Sequence, residues 1–203
     1  VFINMVSTID GKIITGERNE SVHDLGSKTD KILMKRIEAA ADAVLLGAET
    51  LRAAQLSWNP NTDKRIVVSK SGKVPLESGY LSNGTPIVVV PKSATVDYPP
   101  PIQKLTFGED TVDFTALARQ LFDEGVRKLL VLGGSEINAQ FFRAGLVDEI
   151  FLTLAPKIKL GRDVPTIADG DALARAEIQK FQIVETHQVE DELFLRYRRR
   201  PAA

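Results

Sequence analysis

Two places in this chain join an apolar, strand-like run to a helical pattern through glycine. Residues 128–132 (KLLVL) stop at Gly133-Gly134, and a helical pattern follows, with Ser135 and Glu136 in its first turn and Ile137, Phe141 and Phe142 on one side. Gly145 stands where a C′ glycine would close it. Residues 43–46 (AVLL) end at Gly47, and residues 49–54 restart a helix with Thr50 in its first turn. Such junctions leave backbone N–H groups unpaired, and glycine puts no side chain in the way of an anion. A plain tight turn would leave the same trace, so the glycine pair alone does not decide. A third feature is the basic, hydroxyl-bearing turn KSGK at residues 70–73, directly after RIVVS.

Other residues could do chemistry, each with a plainer reading beside it. Asp30 could deliver a proton from a buried carboxyl, or simply complete a capping box with Ser27. Arg52 could grip a phosphate in bidentate fashion, or be a solvated helix-face arginine. Asp10-Gly11-Lys12 reads as a turn that shapes a lid. Trp58 could stack on a planar ring or cover its own loop, and His23 lies in a polar loop where a proton donor could sit.

Composition narrows the classes. The chain has 203 residues and a formal net charge of −1, long enough for one large domain. Without cysteine there is no disulfide framework, thiolate nucleophile or Cys-ligated metal, and His23 and His187 lack ligand-spaced partners, so no metal is expected. No run of apolar residues is long enough to span a membrane. Balanced charge speaks against nucleic acid, and RYRRR at residues 196–200 reads as the solvated end of a last strand. The expected location is cytoplasmic. The chain starts at Val1 rather than methionine, which leaves trimming from a longer precursor open.

The elements follow from periodicity. Residues 1–8 form an apolar, β-branched strand, and residues 12–25 a long polar loop of the kind that makes lids. Ser27 opens a helix with Ile32, Leu33, Ile37 and Ala40 inward. Strands are expected at 43–46, 65–69, 86–90, 128–132 and 149–154, with residues 57–64 and the proline-rich 98–101 as connectors. Asp113 caps a helix that turns Phe114, Leu117, Leu121 and Phe122 inward and closes at Gly125. After a long loop at 156–170, strands at 178–186 and 193–198 form a hairpin through residues 188–192. Alternating strands and helices with a terminal hairpin predict an α/β fold: a mixed, mostly parallel sheet, helices on both faces and an antiparallel edge. A single domain over residues 1–203 is the economical count.

GAET (47–50), RIVVSKS (65–71) and VLGGSEINAQFF (131–142) stand in the order seen in the dihydrofolate-reductase-like superfamily. With the opening T-x-DGK and the run GLVDEIFLTLAPKIKLG (145–161), nearly the whole chain resembles the reductase domain of the riboflavin-biosynthesis deaminase/reductase. The deaminase motifs HxE and PCxxC are absent. The resemblance implies NADPH as cofactor and reduction of the ribosylamino group of a pyrimidine phosphate to ribitylamino, in a homodimer. It implies that Gly133, Gly134, Ser135, Glu136 and Ile137 hold the pyrophosphate and nicotinamide ribose. Gly47 and Thr50 then meet the pyrophosphate from the other side, and Ser69, Lys70 and Ser71 meet the adenosine 2′-phosphate. Glu136 would point away from the phosphates or take a ribose hydroxyl.

The acceptor side departs from that pattern. The acid that precedes the glycines in the family is Leu132 here, its acidic pair falls in Arg52-Ala53-Ala54-Gln55, and its phosphate-gripping arginine aligns with Glu38, with Arg36 nearby. Asp30 as proton source and Arg52 as substitute phosphate ligand are therefore the expected acceptor residues. A dihydrofolate- or pterin-type reductase, or a nucleotide-binding protein that has lost turnover, are the alternatives.

Overall fold

In the computed structural model, which describes residues 1–18, 20, 22–54 and 56–200, the chain builds one nine-stranded sheet. In chain order the elements are β1 Phe2–Thr8, α1 Lys28–Ala40, β2 Ala43–Gly47, α2 Ala48–Ala53, β3 Lys64–Val68, α3 Gly79–Ser82 and β4 Thr85–Val90. Then come β5 Gln103–Thr106, α4 Phe114–Asp123, β6 Leu129–Val131, α5 Ser135–Arg143, β7 Glu149–Ala155, β8 Phe181–Val189 and β9 Glu192–Arg199. The strand order is β5-β4-β3-β2-β6-β1-β7-β9-β8. Every pairing from β5 to β7 is parallel, while β9 is antiparallel to both β7 and β8. The expected mixed sheet with an antiparallel hairpin at its edge is what forms.

Alternation along the central strands fills both faces. Leu45, Ile66, Ile87 and Val131 join Phe114, Leu117, Leu121 and Phe141 from α4 and α5 on one side. Val44, Leu46, Val67, Val88 and Leu130 join Ile37, Leu51 and Tyr80 from α1, α2 and α3 on the other. Each such Leu or Ile, fully enclosed, contributes roughly 1.5–3 kcal/mol. Tyr80 is wholly buried, and its hydroxyl is satisfied by donating towards the carbonyls of Val44 and Ile66.

Several details differ from the periodicity reading. α1 turns Asp30, Ile37 and Glu38 inward, while Ile32 stays 43% exposed. The spacing 30, 33–34, 37–38, 41 is equally helical, and a face holding two acids is invisible to a hydrophobicity count. Asp113 does cap α4, accepting from the Ala116 N–H at 2.9 Å, but Phe122 is exposed, with the Arg127 guanidinium 3.8 Å over its ring. β5 and the short α3 were not visible as apolar patterns, because β5 is a mostly exposed edge strand of only four residues. The final hairpin is longer and tighter than expected, turning at residues 190–191 with Glu190 at φ 53°.

Candidate active site

The carboxyl ends of the parallel strands form one edge, and the sheet order sets its sequence of features. Moving from β3 through β2, β6 and β1 to β7, one meets the 69–73 turn, Gly47, Gly133-Gly134, Thr8 with Asp10, and Thr153. Four inter-strand steps span about 19 Å.

At the centre, the two glycine junctions are brought together. The Gly47 N–H donates to the Gly133 carbonyl at 2.8 Å, so the ends of β2 and β6 are joined past their last ladder bond. Gly133 has φ +83°, which a residue with a side chain rarely adopts, and its peptide to Gly134 is cis. A Cβ on Gly134 would stand 3.0 Å from the Thr50 hydroxyl oxygen, and one on Gly47 would stand 2.9 Å from Ile137. The absence of side chains at these points lets the starts of α2 and α5 pack closely against each other. Ser135 is buried and hydrogen-bonded to Asp169 of the following loop, and Asn138 ties the same loop through the Ile167 carbonyl at 2.7 Å. The exposed Glu136 turns towards Gly170, where its carboxylate would be 4.0 Å from an added Cβ.

The 69–73 turn is shaped by its own chain. Gly72 takes φ +75°, and its carbonyl accepts the Tyr98 hydroxyl at 2.6 Å. Ser69 is buried and its hydroxyl donates to the Lys73 carbonyl at 3.2 Å, while Lys70 and Ser71 are exposed. Arg52 is exposed as well, and its Nη1 donates to the same Lys73 carbonyl at 3.1 Å.

Asp30 lies at the far end. The carboxyl is buried, 2.3 Å from where a Cβ on Gly26 would be, beside Thr153 of β7. Burial pushes it above the usual aspartate range, and the nearby Glu192 carboxylate adds to this, while a hydrogen bond from Thr153 and the charge of Lys31 pull the other way. The capping-box reading is only half right. Ser27 does cap α1, accepting from the Thr29 and Asp30 N–H groups, but the reciprocal acid is Glu192, which takes the Ser27 N–H at 2.8 Å and its hydroxyl at 2.5 Å. Asp30 is thereby left free of capping.

The structure does not bring Asp30 and Arg52 together: one is packed at β7 and the other reaches the turn after β3, with β2, β6 and β1 between. Position 38 leaves the edge altogether. The Glu38 carbonyl accepts from Thr62, just before β3 begins, so Glu38 sits at the opposite, amino edge of the sheet. An arginine there would not have faced this cleft. Gln55, in the segment aligned with the acidic pair, lies outside the described residues.

The loops over the edge are stitched together by lysines. Lys12 Nζ donates to the Val164 carbonyl, Lys159 Nζ to that of Thr15 and Lys157 Nζ to those of Asp24 and Leu25. Asp10 is structural: the Thr8 hydroxyl and the N–H groups of Lys159 and Leu160 donate to its carboxylate, which holds it down at about 2. Trp58 covers its loop, its ring 5.2 Å from buried Tyr80. The His23 carbonyl accepts from Lys31. Among the described residues no cluster suits a metal ion, and no helix is long and apolar enough to cross a membrane.

Residues 1–195 match the family described as RibD C-terminal domain. The chain belongs to that family. A reductase from Archaeoglobus fulgidus is 29% identical over 90% of this chain and 92% of its own. One from Aquifex aeolicus is 30% identical over 86% of this chain and 84% of its own. Both are named 2,5-diamino-6-ribosylamino-4(3H)-pyrimidinone 5′-phosphate reductase. In fold, a pyrimidine reductase-like protein from Corynebacterium diphtheriae covers 99% of this chain and 92% of its own, with a TM-score of 0.81 at 18% identity. Membership in the RibD C-terminal domain family makes this chain an oxidoreductase of the pyrimidine-reductase kind. Thr153, Glu192 and Asn138 were not singled out by the sequence reading. The signals were a threonine between leucines in β7, an acid in a hairpin and an asparagine on the inward side of α5.

Proposed function

We propose that this chain is a single-domain, NADPH-dependent reductase whose acceptor is a phosphorylated ribosylaminopyrimidine. The observation that carries this reading is the junction of Gly47, Thr50, Gly133 and Gly134, where two strand–glycine–helix turns meet side by side through the hydrogen bond from the Gly47 N–H to the Gly133 carbonyl. When bound, NADPH supplies a hydride from its nicotinamide ring. Gly134 and the first turn of α5 would hold the pyrophosphate through backbone N–H groups, and the 69–73 turn the 2′-phosphate. That direction along the edge puts the reactive end towards β1 and β7. There Asp30, whose carboxyl burial pushes above the usual aspartate range, would give a proton to the nitrogen of the acceptor's C=N bond while the cofactor supplies hydride to the carbon. The loop segments tied by Lys12 to Val164 and by Lys159 to Thr15 would shield that end from water.

A pterin-type acceptor is favoured by one observation: neither Arg52 nor position 38 presents a cation beside Asp30. We further propose a homodimer formed through the β7–β9–β8 end, where Ile183 is 56% exposed, and a cytoplasmic location, where biosynthetic NADPH is supplied. The deciding experiment follows NADPH oxidation with ribosylaminopyrimidine phosphate, dihydropterin and dihydrofolate in turn. Turnover of the first alone supports the main reading. Turnover of a pterin alone replaces the acceptor, and no NADPH binding at all removes the proposal.

A further inference from the structure

The sequence leaves Arg52 as a candidate for the acceptor's phosphate, yet its guanidinium reaches the other end of the edge. The Lys73 carbonyl accepts both from Arg52 Nη1 and from the Ser69 hydroxyl, so one atom fixes the direction of two donors. Among the described residues this is the one hydrogen bond the guanidinium makes, out of five N–H groups that can serve a ligand. The turn beneath is held by Gly72 and the Tyr98 hydroxyl, so it is a formed surface rather than a loose loop. Arg52, Lys70 and Lys73 all belong to it, and among the described residues none of them forms an ion pair with a carboxylate. Gathering three cations without a counter-charge costs Coulomb energy that a bound dianion would return. A planar guanidinium two positions past Thr50 can meet such a dianion with two parallel hydrogen bonds, which an ammonium cannot.

We propose that Arg52 is a cofactor-specificity residue that binds the ribose 2′-phosphate together with Lys70 and Ser71, and takes no part in holding the acceptor, while Ser69, whose hydroxyl and N–H are both engaged within the protein, shapes the turn. The inference rests on the NADPH reading above. It makes the turn a two-element site, closed from the α2 side by Arg52 and from the β3 side by Lys70.

The test is a binding titration that needs no acceptor. NADPH and NADH are titrated by nicotinamide fluorescence into the unmodified protein and Arg52→Ala, with adenosine 2′,5′-bisphosphate and 5′-AMP as competitors. Arg52→Ala should weaken NADPH and the bisphosphate by roughly tenfold to a hundredfold, as expected for one lost charge-assisted contact, and leave NADH and 5′-AMP unchanged. Arg52→Lys should recover only part of the loss. An exposed side chain tolerates truncation, and circular dichroism verifies the fold. If Arg52→Ala keeps the parental preference for NADPH, the assignment is wrong, and a raised KM for a phosphorylated acceptor would return Arg52 to the substrate. If the unmodified protein does not prefer NADPH over NADH, the cofactor reading of the turn itself has failed.

Discussion

Glu192, at the start of β9, accepts both the backbone N–H and the hydroxyl of Ser27, the residue that caps α1. The Ser27 oxygen is thus fully used, donating once and accepting from Thr29 and Asp30. A residue 165 positions away therefore does the work that Asp30, three positions along, would do in an isolated helix. The consequence is that Asp30 keeps its carboxyl for other purposes.

The Glu192 charge also raises Asp30, so Glu192→Gln should lower it while still accepting from Ser27. If protonated Asp30 is the acid, activity falls as pH rises through its ionisation, and that limb should move to lower pH in Glu192→Gln. Glu192→Ala should in addition cost about 1–2 kcal/mol of stability, read from urea unfolding. An unmoved pH–rate limb in the glutamine variant would separate Asp30 from the proton transfer.

Gly134→Val places a branched side chain where the Thr50 hydroxyl already stands 3.0 Å from the Cβ position. Calorimetry should show NADPH affinity reduced by more than about a hundredfold in a protein that still folds. Unchanged affinity would put the pyrophosphate elsewhere.

Glu38 gives a stability prediction at the other edge of the sheet. It is 2% exposed, one of its oxygens has no partner, and burial raises it from 4.5 to about 7. The folded protein holds this proton more tightly than the unfolded chain. The stabilising contribution is therefore complete below 4.5 and is lost as pH rises through about 7. In Glu38→Gln the alkaline decline, on the order of 2–3 kcal/mol, should disappear. Urea midpoints for both proteins at about pH 5 and about pH 9 check it.

Asp10 behaves in the opposite sense. Its native carboxylate sits at about 2 against an ordinary 3.8, so its clamp on Lys159 and Leu160 is present above 3.8 and fails only as pH falls through about 2. Asp10→Ala should raise amide exchange at Lys159 and Leu160 at neutral pH without altering the exchange of β2 or β6.

Much of this architecture was legible in the sequence because it is written in local periodicity. The apolar runs that became β2, β3, β4 and β6 are buried on both faces, and Asp113 and Gly145 mark helix ends by side-chain chemistry and turn geometry. The two glycine junctions were legible for the same reason, since a glycine between strand and helix is a local signal. The surroundings of Asp30, Arg52 and Glu38 were not. Asp30 acquires its setting from Thr153 and Glu192, which are distant in sequence, and Arg52 and Glu38 are directed by contacts with Lys73 and Thr62. Naming Asp30 and Arg52 together as acceptor residues could not anticipate that three strands would lie between them.

The hydrogen bond from Gly47 to the Gly133 carbonyl has a consequence for anyone redesigning this protein. It couples two loops that look independent on paper, so a swap of the 47–50 segment from a relative imposes a fit on residues 133–137 as well. The two segments form one transplantable unit, to be exchanged together or left alone, whereas the lysine-stitched loops above them can be rewritten to admit a new acceptor.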